Sequence, residues 1–256
     1  MNYLKTIKEI KTNGYSICND FYKKKDLNKI KNSLLNTLNY IKKSKQKNLQ
    51  KKYYEIKKYN RKLKGNWYDM ANYNLTLFEF VHNKKIIELV KKYFKTKVIF
   101  SSRPCIHVHD DTNKHILLPH QETNMFSVDG ILLWVPLFDT NKDTGGLTIY
   151  KKSHKRGFFK HTTKDPSGKK RWTNNYTNIH PSIYNNFEKV NLEVKSGSAV
   201  LMINSLIHCG YPNKTKKHVR ITVTERFNPL HKIPYLKKTN VPIKIPYTAN
   251  YNSIKD

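Results

Sequence analysis

Residues 219–227, VRITVTERF, place Val219, Ile221, Val223 and Phe227 on one side of an extended chain and Arg220, Thr222, Thr224 and Arg226 on the other. A helix would scatter both sets around its circumference, so this segment predicts a strand whose apolar face must be covered. The polar face has two fates. A surface sheet gives it to water, whereas a barrel or sandwich turns it into the lining of a polar cavity. The sequence leaves that choice open.

The rest of the chain divides into a helical part and a strand-rich part. Up to about Phe94 the apolar period is helical: Leu27, Ile30, Leu34, Leu35, Leu38 and Ile41 form one stripe. Phe78, Phe80 and Val81, then Ile86 through Phe94, continue the pattern. Beyond it the period shortens. Segments 98–109, 130–137, 199–207 and 219–227 read as extended, which predicts an α+β fold with the sheet in the second half. Turn-formers crowd TNKDTGG (140–146) and KDPSGKK (164–170). The latter lies in a weakly periodic insertion near 155–190 that reads as a lid, and the proline-bearing stretch 231–256 reads as an extended tail. We expect one domain, 1–256, made of a mainly helical region 1–96, a core 97–230 and that tail.

Charge and cysteine content narrow the class. The net charge of +31 invites a nucleic-acid reading, and residues 42–64 interleave aromatics with lysine in a way that would suit a single strand. The excess is mostly Lys accompanied by Asn, Ile and Tyr, a joint enrichment that A/T-rich coding alone produces, so a solvated helix face is the preferred reading. Cys18, Cys105 and Cys209 are odd in number and widely spaced, which fits neither a disulfide framework nor a zinc motif. No stretch approaches the roughly 20 apolar residues of a membrane span or the apolar run of a signal peptide. A cytoplasmic protein is expected, with no prediction of oligomeric state.

His120-Gln121-Glu122 puts an imidazole and a carboxylate two residues apart, on the same side of an extended segment. A second imidazole from a distant strand would complete the two-His-one-carboxylate face that suits non-haem iron(II), and His208, after the apolar run AVLMINSLI, is the candidate. Arg103, Cys105, His107 and His109 also alternate onto one face, and His107 with His109 is a rival ligand pair.

Around these residues the segments LLPHQETNMFSVDGILLWVPLFDTNKDTGGLTIYKKSHKRG and SGSAVLMINSLIHCGYPNKTKKHVRITVTERF resemble the phytanoyl-CoA dioxygenase-like family of Fe(II)/2-oxoglutarate oxygenases. The matching features run in order: His120 to Glu122, Trp134 to Leu137, Gly145 to Leu147, Ser153 to Gly157, His208 and Arg220. The likeness spans roughly 98–229, and the N-terminal IKTNGYSICNDFYKKKDLNKI also resembles the family's start.

That resemblance implies a double-stranded β-helix (jelly-roll, cupin-like) core with the N-terminal helices packed on it. It implies Fe(II) held by His120, Glu122 and His208, with 2-oxoglutarate and O2 as cosubstrates. Arg220 then grips the distal carboxylate of 2-oxoglutarate, with Arg226 as its rival. Arg103, His107 and Trp134 are candidates to line the substrate space, although Trp134 suits a core position better than a substrate platform, and Ser153 and His154 are expected to shape the turn after their strand. The family usually has Asp where this chain has Glu122. Related halogenases put a small residue there, so a carboxylate implies hydroxylation or another oxidation. The expected substrate is a small molecule, with a sugar or nucleotide-sugar as one candidate, and the basic charge would favour an anionic one.

Overall fold

The computed structural model describes residues 2–59, 61–112, 117–122, 130–162 and 178–229, excluding the side chains of 61–66. The 164–170 turn, the centre of the 155–190 insertion and the 231–256 tail lie outside the described residues.

Six helices precede most of the sheet: α1 (Tyr3–Asn13), α2 (Lys24–Ile41), α3 (Leu49–Tyr59), α4 (Arg61–Asn72), α5 (Leu75–Val81) and α6 (Lys84–Phe94). Asparagine side chains cap three of them: Asn2 accepts from Lys5 N, Asn74 from Thr76 N and Asn83 from Ile86 N. The α2 stripe buries Leu27, Ile30, Leu34, Leu35 and Leu38 as its spacing predicts. In α3, Leu49, Lys52, Tyr53 and Ile56 are buried. Tyr53 is 1% exposed, and the Tyr54 hydroxyl donates to His218 O. These two rings of the lysine-rich stretch are therefore occupied in packing and hydrogen bonding instead of lying free for bases to stack on.

One strand interrupts the helical region, contrary to the expectation of helix through residue 94. After α1 the chain turns at Gly14, whose φ of 86° is favoured by glycine, and β1 (Tyr15–Cys18) pairs antiparallel with β9 (Ala199–Ile203). Four residues carry no readable period of their own. Their strand character comes from a partner almost 190 residues away.

The remaining strands are β2 (Ile99–Ser101), β3 (Cys105–His109), β4 (Ile131–Pro136), β5 (Gly146–Tyr150), β6 (His161–Thr162), β7 (Asn178–Ile179), β8 (Lys189–Leu192), β10 (His208–Tyr211) and β11 (Arg220–Pro229). A short helix α7 (Pro181–Tyr184) follows β7. The large sheet runs β1-β9-β4-β11-β2, with β3 also paired to β11, and the small sheet runs β10-β5-β8. Every pairing is antiparallel. Segment 199–207, which reads as one strand, is broken: β9 ends at Ile203, and a turn closed by Leu206 N donating to Ile203 O carries the chain to the small sheet.

One face of the large sheet packs on the helices. Val219, Ile221, Val223 and Phe227 join Leu34, Leu38, Tyr53 and Trp67 in a single core. The opposite face meets the small sheet, where Leu132, Trp134, Val200 and Met202 pack against Leu147, Ile149 and Leu192. All ten positions of β11 are buried, so its polar face belongs to the inter-sheet space and not to solvent. Across the large sheet that space is apolar along β9 and β4 and polar along β11 and β3.

Glu225 breaks the apolar alternation of β11 and points to the helix side. It accepts from Ser102 Oγ at 2.8 Å and Arg226 N at 2.7 Å, and its other oxygen lies 3.6 Å from His82 Nε2. Burial pushes this carboxyl up to about 8, against the partial relief of those hydrogen bonds. A raised carboxyl pKa means that the folded state holds the proton more tightly than the unfolded state. Its contribution is thus fully present below the ordinary carboxylate pKa and is lost as pH rises toward 8. Glu225→Gln is expected to leave the melting temperature nearly unchanged at pH 4 and to raise it at pH 8.5. Thermal melts at both pH values check this; equal shifts would contradict it.

Candidate metal centre

His120 and His208 form a directly opposed antiparallel pair: His120 N donates to His208 O and His208 N to His120 O, both at 3.0 Å. Opposed residues share a face, so the two rings stand side by side with centroids 4.5 Å apart. His208 pairs with Ile149 on its other side, which fixes that face as the one turned toward the large sheet. Two residues on from His120, Glu122 emerges on the same side, and its N–H donates to Asn204 O at 2.9 Å.

Both imidazoles have the same tautomer. His120 Nδ1 lies 2.7 Å from Leu118 O, and His208 Nδ1 lies 2.9 Å from Leu206 O. A carbonyl only accepts, so each Nδ1 carries a hydrogen, and in the neutral ring the lone pair is then on Nε2. Those lone pairs face one carboxylate oxygen, Glu122 Oε1, at 3.8 Å from His120 and 3.3 Å from His208. Burial disfavours protonation of His208, with the neighbouring His120 adding to it. Burial would also raise the Glu122 carboxyl, but Arg226 and the two histidines outweigh it and hold the group well below the usual carboxylate range. The three residues each offer one ligand atom, and these atoms all lie within 4.8 Å of one another. Two neutral imidazoles and a carboxylate are a donor set that fits a divalent iron.

The motif's middle residue ties the centre to the insertion. Gln121 Nε2 donates to Gly157 O and Ser205 O at 2.7 and 2.6 Å, and its Oε1 accepts from Phe159 N at 2.9 Å. Gln121 N donates to His161 Nε2, whose Nδ1 donates to Phe159 O. The insertion's described ends, β6 and β7, pair with each other, and Ile179 N donates to Pro119 O. Gln121→Ala would remove the partner of three backbone groups, of which the buried Ser205 O costs about 1–3 kcal/mol when left unsatisfied. The expected result is a clear drop in melting temperature and increased protease sensitivity at residues 157–161, read by limited proteolysis.

Ser153 Oγ accepts from Ile207 N at 2.9 Å, steadying the residue before His208. Gly146 fits because an added Cβ would sit 2.6 Å from the Tyr211 hydroxyl, and its carbonyl accepts from Arg220.

Arg220 is 4% exposed on the polar face of β11. Its Nη1 donates to Gly146 O at 2.7 Å and Tyr211 O at 3.3 Å, which ties the large sheet to the small one. Its Nε and the neighbouring Thr222 hydroxyl are buried with no hydrogen-bond partner among the described residues. Native interiors rarely leave such groups unsatisfied, and two donors on one face fit a carboxylate-bearing ligand. Burial lowers the Arg220 guanidinium to about 10, so it stays charged at neutral pH.

His107 and His109 are not part of the ligand cluster found among the described residues. His107 Nε2 pairs with Thr224 Oγ1 at 3.1 Å. Burial pushes it down to about 3, with Arg226 and Arg220 adding to the effect, so it is a neutral wall residue among charges. Arg103 stacks its guanidinium 4.5 Å from the Tyr73 ring centroid. Trp134 is 7% exposed within the inter-sheet apolar cluster. Arg226, the rival to Arg220, instead faces Glu122: its Nε donates to Oε2 at 2.8 Å and its Nη2 to Oε1 at 3.3 Å. The period of β11 places Arg226 on the cavity face, but nothing in the sequence names its partner.

The model of the family Phytanoyl-CoA dioxygenase (PhyH) matches residues 10–222. The chain belongs to that family. It is thus a non-haem iron, 2-oxoglutarate-dependent oxygenase by class. No curated protein matches its sequence significantly. Among solved structures, this family member is similar to the non-heme alpha ketoglutarate dependent carbocyclase SnoK from nogalamycin biosynthesis, with TM-score 0.61 and 13% identity over 87% of this chain and 82% of that one. The epimerase SnoN in complex with Fe3+, alpha ketoglutarate and nogalamycin RO gives TM-score 0.58 and 12% identity over 88% and 82%. Apo EctD from S. alaskensis gives 0.60 and 10% over 89% and 77%. At these identities the likeness shows the fold, a jelly-roll of two antiparallel sheets.

Proposed function

We propose that the protein is a dioxygenase that hydroxylates a small anionic molecule of metabolite or sugar type, with release of succinate and CO2. The observation that carries this reading is the convergence of His120 Nε2, His208 Nε2 and Glu122 Oε1, three ligand atoms close enough to share one ion. When bound there, iron(II) supplies the redox centre at which 2-oxoglutarate and O2 react, one oxygen atom passing to succinate and the other to the substrate.

The chain's own residues do the rest. The histidines offer fixed tautomers because Leu118 O and Leu206 O hold their Nδ1 hydrogens. Arg220 and Thr222 offer N–H and O–H groups to the distal carboxylate of 2-oxoglutarate, and the planar guanidinium fixes its orientation in a way lysine cannot. The neutral His107 and the apolar Trp134 keep water from the reacting atoms. Arg103 supplies a cation for an anionic substrate group, in keeping with the net charge of +31.

The test is anaerobic addition of Fe(II) and 2-oxoglutarate, watched for the visible charge-transfer band of the chelate, then O2 and a succinate assay. A set of phosphorylated sugars, nucleotide-sugars and uncharged counterparts screened for stimulated succinate release addresses the substrate. The expected result is a band, succinate, and stimulation by an anionic compound. Absence of the band would sink the metal reading; a band without succinate would make the protein a binding-only relative.

A further inference from the structure

Glu122 spans the gap between the two sheets. Its backbone continues from His120, which is bridged to β10 of the small sheet, while its carboxylate reaches Arg226 on β11 of the large one. The two oxygens have different surroundings. Oε2 takes the 2.8 Å bond from Arg226 Nε, and Oε1 is the oxygen nearest both histidines, with Arg226 Nη2 at 3.3 Å. Glu122 is 6% exposed and Arg226 is 5% exposed, so the pair is largely shielded from solvent.

We infer that Arg226 is a positioning residue: it occupies Oε2 and so commits Glu122 to ligate the metal through Oε1 alone. This rests on the iron reading above. A glutamate has one more rotatable bond than an aspartate, so unrestrained it could swing away from the histidines or bind through both oxygens. The two-point grip of a guanidinium removes that freedom. The same geometry gives the longer side chain a purpose. An aspartate on this backbone would be a methylene short and would have to release either Arg226 or the metal. Glu122 and Arg226 therefore act as a matched pair in which neither is interchangeable with its usual substitute.

The test compares the wild type with Arg226→Lys, Arg226→Met, Glu122→Asp and the double variant Glu122→Asp/Arg226→Met. Anaerobic titrations with Co(II), a spectroscopic stand-in for Fe(II), give both the affinity and the visible ligand-field spectrum, and metal-free thermal melts are recorded alongside. Losing an outer partner of a metal ligand typically weakens binding about 10- to 100-fold, and that is the expectation for Arg226→Met and for Glu122→Asp. Arg226→Met is also expected to alter the spectrum, because Oε2 becomes free to coordinate. Arg226→Lys should regain part of the affinity without restoring the spectrum. The double variant should lose little more than the worse single variant, since each substitution breaks the same contact.

A purely structural ion pair would lower the metal-free melting temperature and leave affinity and spectrum at wild-type values. That result would overturn the inference, as would an aspartate variant that binds Co(II) as tightly as wild type. If Arg226→Met does not fold, Arg226→Lys and Glu122→Asp decide the matter by the same criteria. A wild type with no Co(II) spectrum would overturn the metal reading itself, and is thereby distinguishable from a normal wild type with unaffected variants.

Discussion

Replacing His208 with alanine is expected to abolish iron-dependent succinate formation while leaving the fold in place. The backbone hydrogen bonds of position 208 to His120 are unaffected by the side chain, so the strand register that builds the centre survives. What disappears is one of two imidazole lone pairs in a three-donor cluster, and with it the coordination that separates specific iron binding from loose association. The loss in turnover should reach the background of free iron. His120→Ala should do the same, because each ring anchors Nδ1 on a backbone carbonyl and turns Nε2 toward Glu122 Oε1. Succinate measured by mass spectrometry under Fe(II), 2-oxoglutarate and O2, with thermal melts as a folding control, checks both. Full turnover in either variant would end the proposal.

The second large effect is expected at Arg220. Arg220→Lys keeps a cation and can keep the contact to Gly146 O, but loses the flat fork and the buried Nε donor. Hydrogen bonds to charged groups contribute about 1.5–3 kcal/mol, which is about 10- to 100-fold in affinity for each one lost. The KM for 2-oxoglutarate should rise by that factor or more, while the KM for the substrate that stimulates turnover stays near wild type. A rise shared equally by both would place Arg220 in general packing and not at the cosubstrate. The lysine variant is preferred to a neutral one because Gly146 O and Tyr211 O would otherwise lose their buried donor.

Much of the molecule was legible because its periods are local. The α2 stripe buries the residues its spacing selects, and the apolar side of β11 meets the helices as alternation requires. The three donors of the centre were likewise readable, two from their spacing at His120 and Glu122 and the third as a distal imidazole. Other features have no local signature. β1 is four residues whose conformation is supplied by pairing with β9, and the break after Ile203 moves His208 to the opposite sheet although the apolar run continues to Ile207. Glu225 reads as a polar interruption of an apolar face, yet Ser102 and the Arg226 amide allow it to be buried there.

The sequence by itself determined which residues of VRITVTERF share a face, because side-chain direction in a strand depends only on counting by two. It could not say whether the polar face met water. That depended on the small sheet, which closes over the polar side of β11 while the helices cover the other, so that all ten of its positions are buried. Only this closure brings Arg226 from one sheet to the carboxylate of Glu122 from the other, and leaves Arg220 Nε and the Thr222 hydroxyl buried without a partner among the described residues. The physical reason is that alternation is a property of one strand, whereas burial, hydrogen-bond partnership and the charge state of a carboxylate belong to whatever the rest of the chain packs around it.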